Sequence, residues 1–177
     1  MTEIRLCTAS EVPYILQFIR DLAEYEKELD KVEATVESLS IALGFTPPPA
    51  SSATSDQTLF QPPWCKCLLA FVPEQPEPVG MALYFTTFST WRSAPGIYLE
   101  DLYVDPKFRG RGLGKAFIRR LAKESLKIGG KRLEWCVLKW NKPSIEFYDL
   151  IGAKPMSEWQ TMRVDGEVLE KLAGESK

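Results

Sequence analysis

The residues best suited to bind a charged ligand form a glycine-rich turn, Arg109-Gly110-Arg111-Gly112-Leu113-Gly114, which is followed by Lys115. The turn separates a predicted strand over 97–104 from a predicted helix over 112–128. Backbone N–H groups at a helix start, glycines that allow close approach, and nearby cationic side chains suit a phosphate or pyrophosphate. A Rossmann fingerprint requires GxGxxG, and a Walker A loop ends in Gly-Lys-Ser/Thr, so neither fits GxGxG followed by Lys-Ala. The alternative is a glycine-rich surface turn with solvated arginines.

Two carboxylates, Glu100 and Asp101, interrupt the otherwise apolar strand IYLEDLYV. Neighbouring residues of a regular strand point to opposite faces, so we predict that these two do not act as a pair. A buried carboxylate needs a partner or takes a raised pKa. The sequence contains no histidine, which excludes Ser-His-Asp and Cys-His catalysis and His-ligated zinc. Proton transfer must therefore use Asp, Glu, Tyr, Lys, Cys or water.

The composition is that of a globular domain. The chain has 177 residues, 45% of them hydrophobic and 26% charged, and its net charge is -2, so we expect one domain over 1–177 without nucleic-acid or membrane partners. The N-terminus lacks the basic and then apolar segments, in that order, of a signal peptide, and no apolar run reaches transmembrane length. We therefore expect a cytoplasmic location. We expect the four cysteines to be reduced, and without a CxxC pair we predict no metal site.

The periodicity predicts an α/β domain with a mixed sheet. Ser10, Thr35 and Asn141 are predicted helix caps, and Gly44 is predicted to close the second helix. The Pro/Ser-rich segment 46–63 is predicted to be a loop insertion. Predicted strands cover 3–8, 65–72, 79–88, 97–104, 132–138 and 159–164, and predicted helices cover 12–28, 35–43, 112–128, 143–151 and a short C-terminal segment.

Three motifs together resemble a known family. Arg109–Gly114 matches the pattern [RQ]-x-x-G-x-[GA] of the GNAT superfamily, and YLEDLYVDPKFRG, WNKPSIEFYDLIGA and LAEYEKE resemble its diamine acetyltransferase branch. That branch comprises the spermidine/spermine and thialysine N-acetyltransferases, and the resemblance covers nearly all of the chain except about 46–63. It implies the GNAT fold, in which helices flank a mixed, mostly antiparallel central sheet. It also implies transfer of acetyl from acetyl-CoA to a primary amine within a ternary complex, without a metal, by a homodimer.

The resemblance assigns a cofactor side to the site. The glycine turn and Lys115 match the pyrophosphate-binding positions, and the backbone of Leu102, Tyr103 and Val104 matches the segment that pairs with the pantetheine amides. Asn141 and Ser144 match positions near the pantetheine arm, although Asn141 also suits a helix cap. Tyr148 matches the tyrosine that gives a proton to the departing thiolate; the alternative is an ordinary core tyrosine.

The resemblance also assigns an amine side. Glu100 matches the glutamate that faces the substrate amine, which makes it our first candidate for removing the amine proton. Tyr25 and Glu26 match positions that line the amine end, and Glu134 and Glu158 are weaker candidates that also suit solvated surface charge.

The segment Phe88-Ser89-Thr90-Trp91 resembles the thialysine-acetylating relatives and lacks the acidic residue of the polyamine enzymes. Ser89 and Thr90 hydroxyls are candidate donors to a substrate carboxylate, with Trp91 beside them. We therefore expect a short amine that bears its own carboxylate to be used better than spermine. The remaining alternatives are a protein or peptide N-acetyltransferase and a non-catalytic acyl-CoA-binding module.

Overall fold

The computed structural model describes residues 2–48 and 61–174. Within them lie five strands and five α-helices. The strands are β1 (Glu3–Leu6), β2 (Lys66–Val72), β3 (Gln75–Ser89), β4 (Ala94–Val104) and β5 (Leu133–Glu134). The helices are α1 (Val12–Glu26), α2 (Val36–Ala42), α3 (Leu113–Lys127), α4 (Lys142–Leu150) and α5 (Gly166–Ala173).

The strands form one sheet in the order β1-β2-β3-β4-β5. Three neighbouring pairs are antiparallel, and β4 pairs with β5 in parallel. This confirms the predicted mixed, mostly antiparallel sheet. The long hairpin of β3 and β4 forms its centre, and its tip lies at residues 90–93.

Helices cover both faces of this sheet. On one face, apolar residues of α1 and α2 pack against Cys67, Leu69 and Met81. On the other face lies α3, whose Phe117 is fully buried. Gly80 faces α3, because a Cβ built there would lie 3.5 Å from the Phe117 ring and 2.6 Å from the Tyr103 carbonyl oxygen. The close approach of β3, β4 and α3 at this point therefore depends on glycine.

The helix starts follow the expected capping chemistry with one correction. Thr35 Oγ1 accepts a hydrogen bond from Ser38 N at 3.1 Å, as the sequence predicts. The first helical region begins at Thr8 rather than at Ser10, because Glu11 accepts the Thr8 N–H at 2.7 Å in a capping box.

Two predicted strands differ from the structure. The prediction over 132–138 is correct for Leu133–Glu134, and residues 135–138 are irregular. The predicted strand over 159–164 is wrong, since these residues are exposed and irregular. An apolar pattern needs a neighbouring strand to become a ladder, and the strand pairs of the described ranges include neither 135–138 nor 159–164.

The chain consists of two compact units, Met1–Cys136 and Val137–Lys177, each defined by the contacts within it. The first contains the sheet with α1, α2 and α3, and the second contains α4 and α5. The single-domain organisation remains a prediction. Of the predicted loop insertion, 46–48 and 61–63 have no helix or strand, and residues 49–60 lie outside the described ranges.

An ion pair between Arg5 and Glu11 connects β1 to the start of α1, and its contribution to the free energy of unfolding can be measured. Arg5 donates to both Glu11 oxygens, at 2.9 and 2.5 Å, and this contact lowers the pKa of Glu11 to about 2. We expect Glu11→Gln to lose about 1–2 kcal/mol of unfolding free energy at neutral pH, because the Arg5 side chain is partly solvated. A depressed carboxylate pKa stabilises the fold above the unfolded value, so the loss should shrink as pH falls from 4.5 towards 2.

The matched control is Glu3→Gln. Glu3 lies 3.9 Å from the same Arg5, but its side chain is 64% exposed, so removing its charge should change stability little. Urea denaturation across pH measures both variants. Equal losses for the two would contradict this account.

Candidate active site

A bulge in β4 determines the geometry of the site. Asp101 pairs with Leu83 and Leu99 pairs with Tyr84, which leaves Glu100 as an extra residue between the two pairs. A bulge interrupts the alternation of a strand and redirects its side chains. The regular alternation on which our prediction for Glu100 and Asp101 rested is therefore interrupted at this point, and the Glu100 charge acts on Asp101.

Three carboxylates meet near this bulge. Glu100 is exposed, while Asp101 is half-buried. The pKa of Asp101 is raised to about 6, first by burial and then by the charges of Glu100 and Glu26. Burial and the charge of Glu28 also raise the pKa of Glu26, at the end of α1. We call Glu26, Glu100 and Asp101 the carboxylate cluster; their mutual repulsion makes it a site for a cation.

One backbone edge of β4 is open beside this cluster. In the first unit β5 pairs with β4 at Ile97 and Tyr98, so no strand of this unit continues along residues 99–104. The Val104 carbonyl accepts a hydrogen bond from Arg109 Nε at 2.9 Å. Main-chain groups on such an edge can bind an extended ligand.

The Tyr103 side chain belongs to the core. It packs on Phe18 with ring centroids 5.2 Å apart, and its hydroxyl donates to Asp21 at 3.3 Å. Burial and the Asp21 charge raise the pKa of Tyr103 to about 12. Any ligand contact from this residue would therefore come from its backbone.

A short 3-10 helix, Pro106–Phe108, follows β4, and the predicted glycine turn then leads into α3. Gly110 and Gly112 have φ values of 75° and 79°, the left-handed region that favours glycine, and Gly112 is the N-cap of α3. Leu113 is buried and anchors the helix, whereas Lys115 is exposed in its first turn. The first N–H groups of a helix have no partner within it, so this turn can accept an anion.

The two arginines of the turn already have partners. Arg111 Nη1 lies 3.0 Å from Glu74 Oε1, and its guanidinium lies 5.0 Å from the centre of the Phe108 ring. An anion that uses Arg111 must therefore compete with Glu74. The Arg109 guanidinium lies 5.9 Å from the centre of the Tyr25 ring. Tyr25 thus lies beside the glycine turn, next to Glu26 at the end of α1.

Other candidates in the first unit lie apart from the cluster. Ser89, Thr90 and Trp91 occupy the hairpin tip, roughly 20 Å along β4 from Asp101. Ser89 is buried and Trp91 is 87% exposed. The structure therefore does not bring these residues and the carboxylate cluster around one short substrate.

Glu134 is engaged by an ion pair, since Arg132 Nε lies 2.6 Å from its Oε2. This contact neutralises a carboxylate that we considered for ammonium binding. Sequence reasoning missed both Arg132 and Glu74, because neither belongs to a motif. It noted Asp101 but favoured Glu100; the position of Asp101 in an apolar strand was the available signal.

The second unit carries the remaining candidates. Asn141 is buried, and its Oδ1 accepts from Ser144 N at 3.3 Å, which confirms the predicted cap of α4. The ring of Tyr148 lies 5.2 Å from that of Phe147, and burial raises the pKa of Tyr148 to about 12. Glu158 is exposed in an irregular segment.

Over the described ranges, no helix is long and apolar enough to cross a membrane. The same residues contain no group of three or more His, Cys, Asp or Glu arranged to hold a metal ion.

Comparison with known proteins shows the class to which this sheet, turn and helix belong. The family model described as "Acetyltransferase (GNAT) family" matches residues 35–153. The chain belongs to the GNAT acetyltransferase family and is an acyltransferase. Acetyltransferases of this family use acetyl-CoA.

Individual relatives of this chain have named activities or solved structures. The chain is 36% identical to a thialysine N-epsilon-acetyltransferase of Bos taurus, over 97% of this chain and 96% of the relative. It is 26% identical to an L-ornithine N5-acetyltransferase of Arabidopsis thaliana, over 97% and 87%. Among solved structures, an integron cassette protein from the mobile metagenome of V. cholerae has a TM-score of 0.73, 24% identity and 97% coverage of both chains. The last similarity supports the fold alone.

The charge coupling inside the cluster is directly measurable. Glu26→Gln removes one of the negative charges that raise the pKa of Asp101, so the Asp101 carboxyl should titrate at lower pH than its wild-type value of about 6. Carboxyl-carbon NMR across pH measures this shift.

The control is Glu24→Gln, which removes an exposed carboxylate two residues away on α1 and is not among the groups that shift Asp101. An Asp101 pKa that is unchanged in Glu26→Gln, or lowered equally in both variants, would show that Glu26 does not belong to the cluster.

Proposed function

We propose that this enzyme transfers the acetyl group of acetyl-CoA to a primary amine of a small diamino compound, with a thialysine- or lysine-like amino acid as the preferred acceptor. The carboxylate cluster beside the open edge of β4 carries this proposal. The relatives acting on thialysine and on ornithine support it, since both names denote amino acids with a side-chain amine.

The glycine turn and the β4 edge suit the two halves of CoA. The pyrophosphate would bind at the turn 109–114, with Lys115 and the first N–H groups of α3 as donors. The backbone of residues 102–104 would pair with the pantetheine amides, since that edge has no strand partner in the first unit. This direction leads the thioester towards Glu100 and Asp101, which precede the same segment.

The cluster would bind the ammonium and accept its proton. With a pKa of about 6, Asp101 is roughly 90% ionised at pH 7. A lysine-like ammonium has a pKa near 10.4, so complete proton transfer to Asp101 before attack would cost about 6 kcal/mol. Because an ammonium has no lone pair, this first proton must leave before attack, through Asp101 to solvent, and the neutral amine is the nucleophile. Bonding to the thioester carbonyl then makes the nitrogen far more acidic, so its next proton passes to the Asp101 carboxylate as the tetrahedral adduct collapses and the thiolate leaves. Glu100 and Glu26 would hold the cation before this step.

Tyr148 would stabilise the departing thiolate by a hydrogen bond. Its pKa of about 12 keeps the phenol protonated at neutral pH. Because a thiol has a pKa near 8.5, complete transfer of the phenolic proton is uphill by about 5 kcal/mol. The phenol therefore acts as a donor to the sulfur, with Asn141 and Ser144 as proposed contacts of the pantetheine arm.

The family resemblance further favours a single-domain, cytoplasmic homodimer. Sedimentation velocity tests the dimer: a monomer at micromolar concentration would exclude it.

Acetyl-CoA binding depends on the space at Gly112. A Cβ there has no described atom within 4 Å, so the Gly112→Val side chain would occupy ligand space above the helix start. Its φ of 79° adds backbone strain, which needs a control. Gly129 has φ 74°, equally open surroundings, and lies beyond the other end of α3.

We expect Gly112→Val to abolish measurable acetyl-CoA binding in calorimetry and Gly129→Val to retain it. Undiminished binding in Gly112→Val would place the cofactor elsewhere.

Replacing the phenol tests the thiolate role. A hydrogen bond to a charged group contributes about 1.5–3 kcal/mol, so Tyr148→Phe should lower kcat roughly 10- to 100-fold at saturating acetyl-CoA. Phe147→Leu alters the adjacent ring without removing a donor and serves as the control. An unchanged kcat in Tyr148→Phe would exclude the role.

Substrate preference follows from the extent of the cluster. Its three carboxylates are confined to the bulge and the end of α1, Glu134 is neutralised by Arg132, and 88–91 carries no acid. Spermine needs carboxylates along its length, whereas a lysine analogue needs one ammonium site. We expect a higher kcat/KM for thialysine than for spermine.

Acetyl-CoA consumption with thialysine, ornithine, spermine and a lysine peptide measures this preference. A higher kcat/KM for spermine would restore the polyamine alternative, and a higher value for the peptide would favour a protein acetyltransferase.

A further inference from the structure

A pair of thiols lies across the outer strands of the sheet, away from the glycine turn. Leu6 pairs with Leu68, and Cys7 N donates to the Cys67 carbonyl at 2.9 Å, so Cys7 and Cys67 are directly opposite. Opposed residues of an antiparallel pair have side chains on the same face and Cα atoms about 5.5 Å apart at such a position. That separation is within the range of disulfides.

The two thiols also contact each other and differ in character. The interaction between them lowers the pKa of Cys7 and raises that of Cys67, while the Cys67 thiol donates to the Leu68 carbonyl at 3.6 Å. Cys67 is fully buried, whereas Cys7 is half-buried. The arrangement is that of a donor thiol, Cys67, beside a thiolate-forming one, Cys7.

A pocket leads to this pair. It has a volume of about 180 Å³, and the residues that line it include Cys7, Cys67, Cys65, Leu43, Phe45 and Lys66. This is room for a small molecule. The charge of Glu11 opposes a thiolate at Cys7, and the contact with Cys67 is the first cause of its lowered pKa. Cys65 shares the face of Cys67, but its thiol is directed to the Ala42 carbonyl at 3.8 Å.

We propose that Cys7 and Cys67 are a peroxide-oxidisable dithiol, in which Cys7 is attacked first and Cys67 resolves it. The Cys7 sulfur attacks one oxygen of a small hydroperoxide; the O–O bond breaks, and the leaving oxygen takes a proton to give an alcohol or water. Cys7 is then a sulfenic acid. The Cys67 sulfur, losing its proton, attacks the Cys7 sulfur; the S–O bond breaks and water leaves. One hydroperoxide is reduced and two thiols become one disulfide.

Cys136 provides an internal comparison. It is exposed, accepts a hydrogen bond from the Tyr98 hydroxyl at 3.0 Å, and follows β5 at the opposite edge of the sheet from β1. If access alone governed oxidation, Cys136 would react before Cys7. The dithiol arrangement predicts the reverse order.

The experiment treats the reduced full-length protein with an equimolar amount of hydrogen peroxide and maps alkylated peptides by mass spectrometry without reduction. The expected product has lost two hydrogens and contains a Cys7–Cys67 cross-link, while Cys65 and Cys136 remain thiols. Cys136→Ser and Cys65→Ser should form the same cross-link.

Cys67→Ala should lose the cross-link entirely and retain a Cys7 sulfenic acid that dimedone traps. Should that buried substitution prevent folding, Cys7→Ser at the half-buried position tests the same pair and should leave Cys67 a thiol. Oxidation of Cys136 with Cys7 and Cys67 still thiols, or a cross-link that joins Cys65 to either, would overturn the proposal.

Discussion

The repulsion between carboxylates at the β4 bulge is the interaction on which the proposed chemistry depends. A regular strand would send Glu100 and Asp101 to opposite faces, one to the core and one to solvent. At the bulge, the charge of Glu100 and that of Glu26, at the end of α1, both act on the Asp101 carboxyl. Burial and repulsion together bring the pKa of Asp101 close to neutrality, the range in which a carboxylate is both ionised and basic.

The rest of the first unit positions the proposed acetyl-CoA site next to the carboxylate cluster. The parallel pairing of β4 with β5 ends at Tyr98, so no strand of the first unit covers the β4 edge between Tyr98 and the glycine turn. The same strand therefore connects the cluster to the start of α3. The long helix α1 brings Glu26 to the bulge and Tyr25 to Arg109, so one helix end contributes to both sides of the proposed site. Its start is fixed by the Arg5–Glu11 contact.

Much of this arrangement can be predicted from sequence because local rules govern it. Gly110 and Gly112 permit the left-handed backbone that defines the turn. Thr35 and Asn141 cap the helices as their side chains predict. The bulge cannot be predicted in this way, because the order of apolar and charged residues in IYLEDLYV fits a strand with or without an extra residue. The apolar residues of 159–164 likewise predict a strand, yet only a partner strand would make it one.

Motif resemblance places residues on a site without measuring the distance between them. Ser89 and Thr90 are close to Glu100 in sequence, but the hairpin carries them roughly 20 Å from Asp101. Glu134 has the right charge for an ammonium, but Arg132 neutralises it. Such pairings depend on which strands become neighbours, which a single sequence does not specify.

The central claim is that Asp101, rather than Glu100, accepts the amine proton. The pH dependence of kcat/KM for wild type, Asp101→Asn and Glu100→Gln tests it most directly. We expect an acid limb near pH 6 in wild type, since the base must be ionised. This limb should move to lower pH in Glu100→Gln. In Asp101→Asn it should vanish, together with roughly 10²–10⁴-fold of kcat/KM. An Asp101→Asn enzyme that retains the limb and the rate, with both lost in Glu100→Gln, would contradict the account.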